Sequence, residues 1–270
     1  MTLEAYYTVI TYVMAGVFGL CIGSFLNVVI YRVPLGMSIA FPASHCPRCG
    51  MPIRWYDNVP VLSYLLLGGK CRGCRVPISP RYTIVELANA LLWLACVWVF
   101  RQDSLLMAAL AAITMSLLIC VFFIDLEHMI ILDRFQLMLA AVAVAVIFVD
   151  PSALSGGTRW WSHLIGAAAG FGVFCLIALL GRRMFGREAL GGGDIKLAAV
   201  MGLWLGWQKL LLAVLLASVA GSVVLLILQA VRKEKDSGRE YPFAPFLTAG
   251  FALAILCGDG IIGWYMALLA

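Results

Sequence analysis

Two aspartates stand beside apolar or glycine-rich runs, where a carboxylate has little water around it. Asp125 directly follows the apolar residues 121–124, and Asp194 follows the glycines at 191–193. Acids at membrane depth are costly, so they usually face a cavity or a partner. Two carboxylates in one poorly solvated site share a single proton, and such a pair can activate water for peptide hydrolysis without a metal. Asp125 and Asp194 are therefore the candidate catalytic pair.

Other roles for these acids stay open on sequence grounds. Asp194 can be the N-cap of a helix that begins at Ile195, and Asp133 can cap the next apolar segment. Asp133 also competes with Asp125 for the first catalytic position, and the sequence does not show which acids meet. The glycines before Asp194 would let the backbone approach a peptide substrate closely.

Four cysteines form two CxxC pairs, and 21 residues separate one pair from the other. Each CxxC makes a tight turn that points two thiolates at one ion, and four thiolates complete a tetrahedral site. The pattern predicts a structural zinc site, with iron as the minor rival. Its ligands are Cys46, Cys49, Cys71 and Cys74. The other cysteines lie in apolar segments and are predicted to be small buried hydrophobes: Cys21, Cys96, Cys120, Cys175 and Cys257.

Other catalytic chemistry has few candidates in the chain. The three histidines, His45, His128 and His163, are scattered along the sequence, so none is placed beside an obvious nucleophile. Ser24 is predicted to be a small residue in helix packing. No phosphate-binding loop follows the glycines at 191–193, because the Lys and Ser/Thr of that motif are missing.

The elements that carry these residues are membrane-spanning helices. The 270 residues are 63% apolar and only 12% charged, and the mean hydropathy is +1.00. Apolar runs of about 20 residues match a hydrocarbon layer of about 30 Å. The predicted spans are 7–30, 84–100, 104–124, 134–149, 162–181, 195–206, 209–230 and 244–269. The sixth is short and fits a tilted or re-entrant element as well as a full crossing.

The positive charges fix the predicted orientation. With eight spans, 16 of the 19 Lys and Arg residues fall on one side of the membrane, and only Arg101, Arg159 and Lys209 fall on the other. The positive-inside rule therefore places the long loop 31–83 in the cytoplasm and both termini outside. This distribution, rather than the net charge of +5, is informative, and it gives no indication of nucleic-acid binding.

The predicted fold is an all-α polytopic membrane protein of about eight transmembrane helices with a small cytoplasmic zinc-ribbon-like loop domain. Its expected divisions are a first transmembrane helix at 1–30, the four-cysteine loop at 31–83 and a transmembrane core, with the fold of an aspartic protease, at 84–270.

Taken together, the motifs resemble the type IV prepilin peptidases, a bacterial family of membrane aspartic proteases with a GxGD motif. The matching segments are GSFLNVVIYRVP at 23–34, the cysteine loop at 46–82, IDLEH at 124–128, GGGD at 191–194 and YPFAPFLTAG at 241–250. One departure is Leu132, where family members often have Pro before the following acid. The resemblance extends over almost the whole chain.

The resemblance implies that Asp125 and Asp194 are the catalytic pair. It implies removal of a short basic leader after Gly from prepilins or type II secretion pseudopilins, at the cytoplasmic face of the bacterial inner membrane, with both termini periplasmic. It also implies N-methylation of the new N-terminus with S-adenosylmethionine, although the sequence has no glycine-rich nucleotide-binding fingerprint. Two alternatives are a proton-coupled carrier that uses the two aspartates as relay groups, and a noncatalytic secretion assembly factor with the zinc loop as docking module.

Overall fold

The computed structural model of the chain describes residues 3–102, 104–149, 160–186, 190–231 and 241–269. Its helices are α1 (Leu3–Arg32), α2 (Leu62–Leu66), α3 (Arg81–Phe100), α4 (Leu105–His128), α5 (Asp133–Val149), α6 (Trp161–Phe185), α7 (Gly192–Val231) and α8 (Ala244–Leu269). A 3₁₀ helix at Trp55–Asp57 precedes α2. The described ranges hold isolated β-bridges but no strand, so the predicted all-α class is confirmed.

Six of the described helices, namely α1, α3, α4, α6, α7 and α8, are long and apolar enough to cross a membrane. The remaining long helix, α5, has 17 residues, and α7 is interrupted at Gly206. The helical segments thus correspond one by one to the eight predicted spans, and the chain is a multi-pass membrane protein. Six residues of the charge count lie outside the described residues: Arg159, Arg187, Arg232, Lys233, Lys235 and Arg239.

The break in α7 has an identifiable backbone cause. Gly206 has φ 74° and ψ 171°, which interrupts the helical hydrogen-bond ladder. His163, at the start of α6, is 5% exposed, and its ring Nδ1 lies 2.9 Å from the Leu203 carbonyl oxygen. A carbonyl only accepts, so Nδ1 is the donor and satisfies a group near the break. His163 therefore has a structural role here.

The chain divides into two compact units, Met1–Cys120 and Val121–Ala270, and α4 runs from the first into the second. In the first unit, α1 packs closely on α3 at two glycines. A Cβ at Gly19 would come within 2.7 Å of the Ala90 Cα, and one at Gly23 within 2.8 Å of the Glu86 Cα. Asn89 donates from Nδ2 to the Gly19 carbonyl at 2.7 Å and accepts from Ser116 at 2.8 Å. Small residues and buried polar groups thus join the first-unit helices.

In the second unit, α6 and α7 meet along a stripe of small residues. Any Cβ at Gly166 would overlap the Gly202 carbonyl, and any Cβ at Gly170 would come into close contact with the backbone of Ala198. Helices α5 and α8 also pack on α7. This close packing makes α7 the element against which the other second-unit helices are placed.

The cysteines outside the CxxC pairs differ in exposure. Cys96 and Cys120 are buried and Cys175 is partly buried, but Cys21 and Cys257 are exposed. The prediction that all five are buried is therefore wrong for these two residues. Apolar sequence context does not distinguish a protein-facing from an outward-facing position on a membrane helix.

Candidate active site and metal cluster

Asp125 lies four residues before the end of α4 and is 6% exposed. Its Oδ2 accepts a hydrogen bond of 3.1 Å from the backbone N–H of Ala244, the first residue of α8. First-turn N–H groups have no partner inside their own helix, and they favour a negative group beside them. Pro245, the next residue, has no N–H to satisfy. The start of α8 therefore orients the Asp125 carboxylate.

Asp194 is the third residue of α7 and is 9% exposed. The N–H groups of Asp194 and Ile195 point to the Gly191 carbonyl, at 3.1 and 3.5 Å, so the helix begins before Asp194. The alternative that Asp194 caps a helix from Ile195 is therefore wrong. Its Oδ1 is buried without a hydrogen-bond partner, and its carboxylate interacts electrostatically with that of Asp125. The second unit thus brings together the two acids selected from sequence.

Asp133 has a different environment. It is the first residue of α5, its side chain is 70% exposed, and it forms an ion pair with Lys196 at 2.7 Å. An exposed carboxylate with a lysine partner stays ionised and solvated. The geometry therefore favours Asp125 over Asp133 as the partner of Asp194.

The three glycines before Asp194 have separate structural reasons. A Cβ at Gly193 would come within 2.9 Å of the Ile131 Cβ, whereas one at Gly192 would meet nothing within 4 Å. A Cβ at Gly191 would lie 3.2 Å from Asp194 Oδ2. Gly193 is therefore required for packing against the α4–α5 connection, and only Gly192 leaves open space of the kind predicted for substrate approach.

Gln136 is a further residue of this site that the motifs did not indicate. It lies on α5 with 4% exposure, and its Nε2 donates to the Gly193 carbonyl at 3.1 Å. The bond ties α5 to the backbone residue just before Asp194. A polar residue near the start of an apolar span is the only sequence signal for it.

The four predicted metal ligands are also brought together, within the first unit. Their Sγ atoms all lie within 4.8 Å of one another, and Cys46 and Cys74 are 3.8 Å apart. A tetrahedron with Zn–S bonds of about 2.3 Å has sulfur–sulfur edges of about 3.8 Å. The four-thiol donor set and its spacing therefore fit a tetrahedral metal ion.

Two similar turns build this cluster. Cys46 donates to the Met51 carbonyl and accepts from Gly50, each at 2.9 Å. Cys71 likewise donates to Val76 at 2.9 Å and accepts from Arg75 at 3.1 Å. Isolated β-bridges close both turns, His45 with Pro52 and Lys70 with Pro77. The segments CPRCGMP and CRGCRVP are thus structural repeats, each presenting two thiols.

The thiols do not ionise equally. Backbone hydrogen bonds from Cys49 and Arg48 lower the pKa of the Cys46 thiol to about 6. For Cys49 the Met51 amide favours the thiolate, but desolvation and the neighbouring thiols together raise its pKa to about 11. Four adjacent thiolates therefore require a cation to balance their charge.

A polar contact supports the second turn. Arg72 donates from Nε and Nη2 to the Asp57 carboxylate at distances from 2.6 to 3.0 Å. This forked hydrogen bond lowers the pKa of Asp57. The Arg72 guanidinium also lies 5.6 Å from the centre of the Tyr56 ring. The contact joins the 3₁₀ helix to the turn that carries Cys71 and Cys74.

These features define a class: multi-pass helical membrane proteins with a buried aspartate pair and a four-thiol cluster. Family comparison then gives the narrower assignment. Residues 17–100 match the bacterial peptidase A24 N-terminal domain, and residues 112–226 match the type IV leader peptidase family. The chain belongs to the type IV leader peptidase family.

Curated relatives agree with this membership. A prepilin leader peptidase/N-methyltransferase of Myxococcus xanthus is 45% identical over 83% of this chain, although the match spans only 64% of that relative. Proteins of the same name from Aeromonas hydrophila and Pseudomonas aeruginosa are 36% and 35% identical, each over 92% of this chain and 91% of the relative. No solved structure matches the chain. The relatives give no support to the carrier alternative.

Proposed function

We propose that this protein is a membrane aspartic endopeptidase that removes the short basic leader of prepilins or pseudopilins after Gly, and that it N-methylates the new N-terminal residue. The observation that carries the peptidase activity is the buried pair of Asp125 and Asp194. The names of the relatives support the substrate class and the methylation. In this proposal the first span is 1–30, the metal-binding loop is 31–83 and the protease core is 84–270.

The chemistry needs only the two carboxylates and water. The ionised carboxylate takes a proton from water while the protonated partner donates to the scissile carbonyl oxygen. The water oxygen adds to the carbonyl carbon, the C–N bond breaks, and the leaving amine takes up a proton. The Ala244 N–H holds Asp125 in place, and the unpartnered Oδ1 of Asp194 is available to water or substrate.

Charge distribution supports the location of this reaction. The side of the membrane with 16 of the 19 Lys and Arg residues also carries both aspartates, which favours a cytoplasmic catalytic face and periplasmic termini. An apolar substrate helix in the bilayer would then place its leader at the level of Asp125 and Asp194. We assign the enzyme to the bacterial inner membrane on this basis.

Two groups complete the proposal. Zinc fits the Cys46, Cys49, Cys71 and Cys74 cluster as a structural ion and would stabilise the loop by on the order of 10 kcal/mol. S-adenosylmethionine supplies the methyl group: as the amine nitrogen bonds to the methyl carbon, the carbon–sulfur bond breaks, the sulfonium becomes a neutral thioether, and the nitrogen releases a proton.

The test is co-expression with a prepilin, followed by mass spectrometry of the product. Asp125→Asn and Asp194→Asn should each abolish leader removal, because an amide cannot exchange the shared proton. The Asn side chain at position 125 keeps an acceptor for the Ala244 N–H, so loss of cleavage would not result from a lost helix contact.

Asp133→Asn is the matched control, since it removes a carboxylate from the same region but from an exposed ion pair. Cleavage by this variant and by the wild-type protein, but by neither of the other two, supports the proposed pair. Cleavage that survives Asp125→Asn and disappears with Asp133→Asn would overturn the assignment. A mass increase of one methyl group on the mature N-terminus reports methylation separately.

A further inference from the structure

A cavity in the first unit has no part in the peptidase chemistry. Its volume is about 380 Å³, which is within the range of roughly 300–1,000 Å³ typical of small-molecule sites. It lies between the C-terminal half of α1 and the loop that follows. The lining residues used below are Cys21, Ser24, Phe25, Val28, Arg32 and Asn58.

Arg32 forms the positive side of this cavity. Its side chain is buried, with 7% exposure, and it donates to the Ser38 carbonyl at 3.0 Å and the Pro42 carbonyl at 2.7 Å. Neither partner is charged. A buried guanidinium that is held by neutral carbonyls keeps its positive charge available to an anionic ligand group.

Glu86 supplies a negative group behind Ser24. It lies on α3 with 8% exposure, accepts from the Val61 N–H at 2.8 Å, and is hydrogen-bonded to Ser24. Within the described chain it has no Lys or Arg within ion-pair distance. Ser24, predicted as a packing residue, therefore connects a buried acid to the cavity. A buried carboxylate of this kind is a typical site for a cationic ligand.

We propose that this cavity binds S-adenosylmethionine, the methyl donor of the methyltransferase activity. This inference rests on the methylation half of the proposed function. The donor carries a positive sulfonium and ammonium, a carboxylate and an adenosine group. The cavity offers matching chemistry in the negative charge of Glu86, the guanidinium of Arg32, the Phe25 ring and the amide of Asn58.

The opposite charges distinguish this ligand from a basic leader peptide. A leader rich in Lys or Arg would be attracted to Glu86 but repelled by the buried Arg32. A zwitterionic small molecule uses both groups. The cavity also has an aromatic ring, which attracts a sulfonium and stacks on adenine.

The first experiment measures binding of radiolabelled S-adenosylmethionine to the purified full-length protein by equilibrium dialysis, without substrate. Glu86→Gln keeps an acceptor for Val61 but removes the charge, and it should weaken binding by at least about tenfold. Val28→Phe, which fills the cavity, should do the same. Glu4→Gln is the matched control, because Glu4 is an exposed acid in the same unit and its loss should leave the affinity unchanged.

A second measurement uses the unaltered protein and so does not depend on how variants fold. Cys21 lines the cavity and is exposed, whereas Cys257 is exposed in the second unit. Saturating S-adenosylmethionine should slow maleimide labelling of Cys21 by at least about fivefold, as occupied ligand sites exclude water from most of the ligand surface. Labelling of Cys257, followed site by site with mass spectrometry, should not change.

The outcomes separate this site from the peptidase. Binding with protection of Cys21 supports the site even if no leader is cleaved. Absence of binding, binding with no protection, or protection by a leader peptide instead of S-adenosylmethionine would each overturn it. Leader cleavage measured in the same preparation tests the peptidase proposal independently.

Discussion

The four-cysteine cluster and the aspartate pair are assembled by different physical means. The cluster is formed by two short turns at 46–52 and 71–77, and each turn is closed by its own backbone hydrogen bonds. The aspartates lie on α4 and α7, and their positions depend on the start of α8, on Gln136 of α5 and on the packing of Gly193 against Ile131. One site is built from local structure and the other from helix packing.

This difference indicates what each site needs in order to remain intact. Large apolar side chains around the cluster, including Trp55 and Leu66, are more than 80% exposed, so the loop has little core of its own and depends on a bound ion. The aspartate pair is buried among helices whose small residues allow close approach. Metal loss should therefore damage the first site far more than the second.

The largest expected effect is the loss of metal on Cys71→Ser. Three thiols cannot complete the tetrahedral shell, so zinc measured by mass spectrometry should fall from a stoichiometric amount to background. Methylation should be lost, while the helical circular dichroism persists and leader cleavage falls much less. Cys257→Ser, an exposed cysteine outside the cluster, should retain zinc. Equal loss of cleavage and methylation would show that the two sites are not independent.

The next effect tests packing at the aspartate pair. Gly193→Ala places a Cβ within 2.9 Å of the Ile131 Cβ and should displace the backbone before Asp194, lowering the cleavage rate by at least about tenfold. Gly192→Ala is the control, because its Cβ would meet nothing within 4 Å. The comparison is read from initial rates on one prepilin. Similar losses in both variants would mean that the packing contact does not matter.

The local site was also the easier one to predict. The CxxC spacing alone indicated the four ligands, and apolar run length indicated every helical span, because both signals are contiguous in sequence. Gly206 is an example of what was accessible only in part: the short sixth segment suggested an interruption, but the positive φ and the His163 contact required the fold.

Non-local contacts were not predictable. Nothing near Asp125 in sequence indicates that its partner is the Ala244 N–H, and nothing near Gln136 indicates the Gly193 carbonyl. The resemblance selected Asp125 and Asp194 before any geometry was known, whereas the residues alone left Asp133 as a competitor. Glu86 did carry a sequence signal, since an acid inside an apolar span is costly unless it has a partner.

A moderate effect is expected at Gln136. Gln136→Leu leaves the Gly193 carbonyl without its donor, at a cost of about 1–3 kcal/mol, and we expect a severalfold slower cleavage with an unchanged KM. Gln136→Glu is a conservative test: the protonated acid can still donate to the carbonyl, but the carboxylate cannot. Cleavage by this variant should therefore fall as pH rises through the new group's pKa, relative to wild type at each pH. A pH profile identical to that of wild type would contradict this positioning role.

The smallest effect lies in the backbone of the two cysteine turns. Gly50 and Arg75 occupy equivalent positions, with φ 72° and 56°, but only one of them is a glycine. A left-handed conformation costs a non-glycine residue about 1–2 kcal/mol, so Arg75→Gly should relieve strain in the second turn. Zinc affinity, measured by competition with a chelator, should rise by up to about tenfold. Arg75→Ala removes the same charge without relieving the strain and should not show this gain. If both variants gained equally, the charge of Arg75 rather than its backbone would limit metal binding, and the two turns would be equivalent in strain.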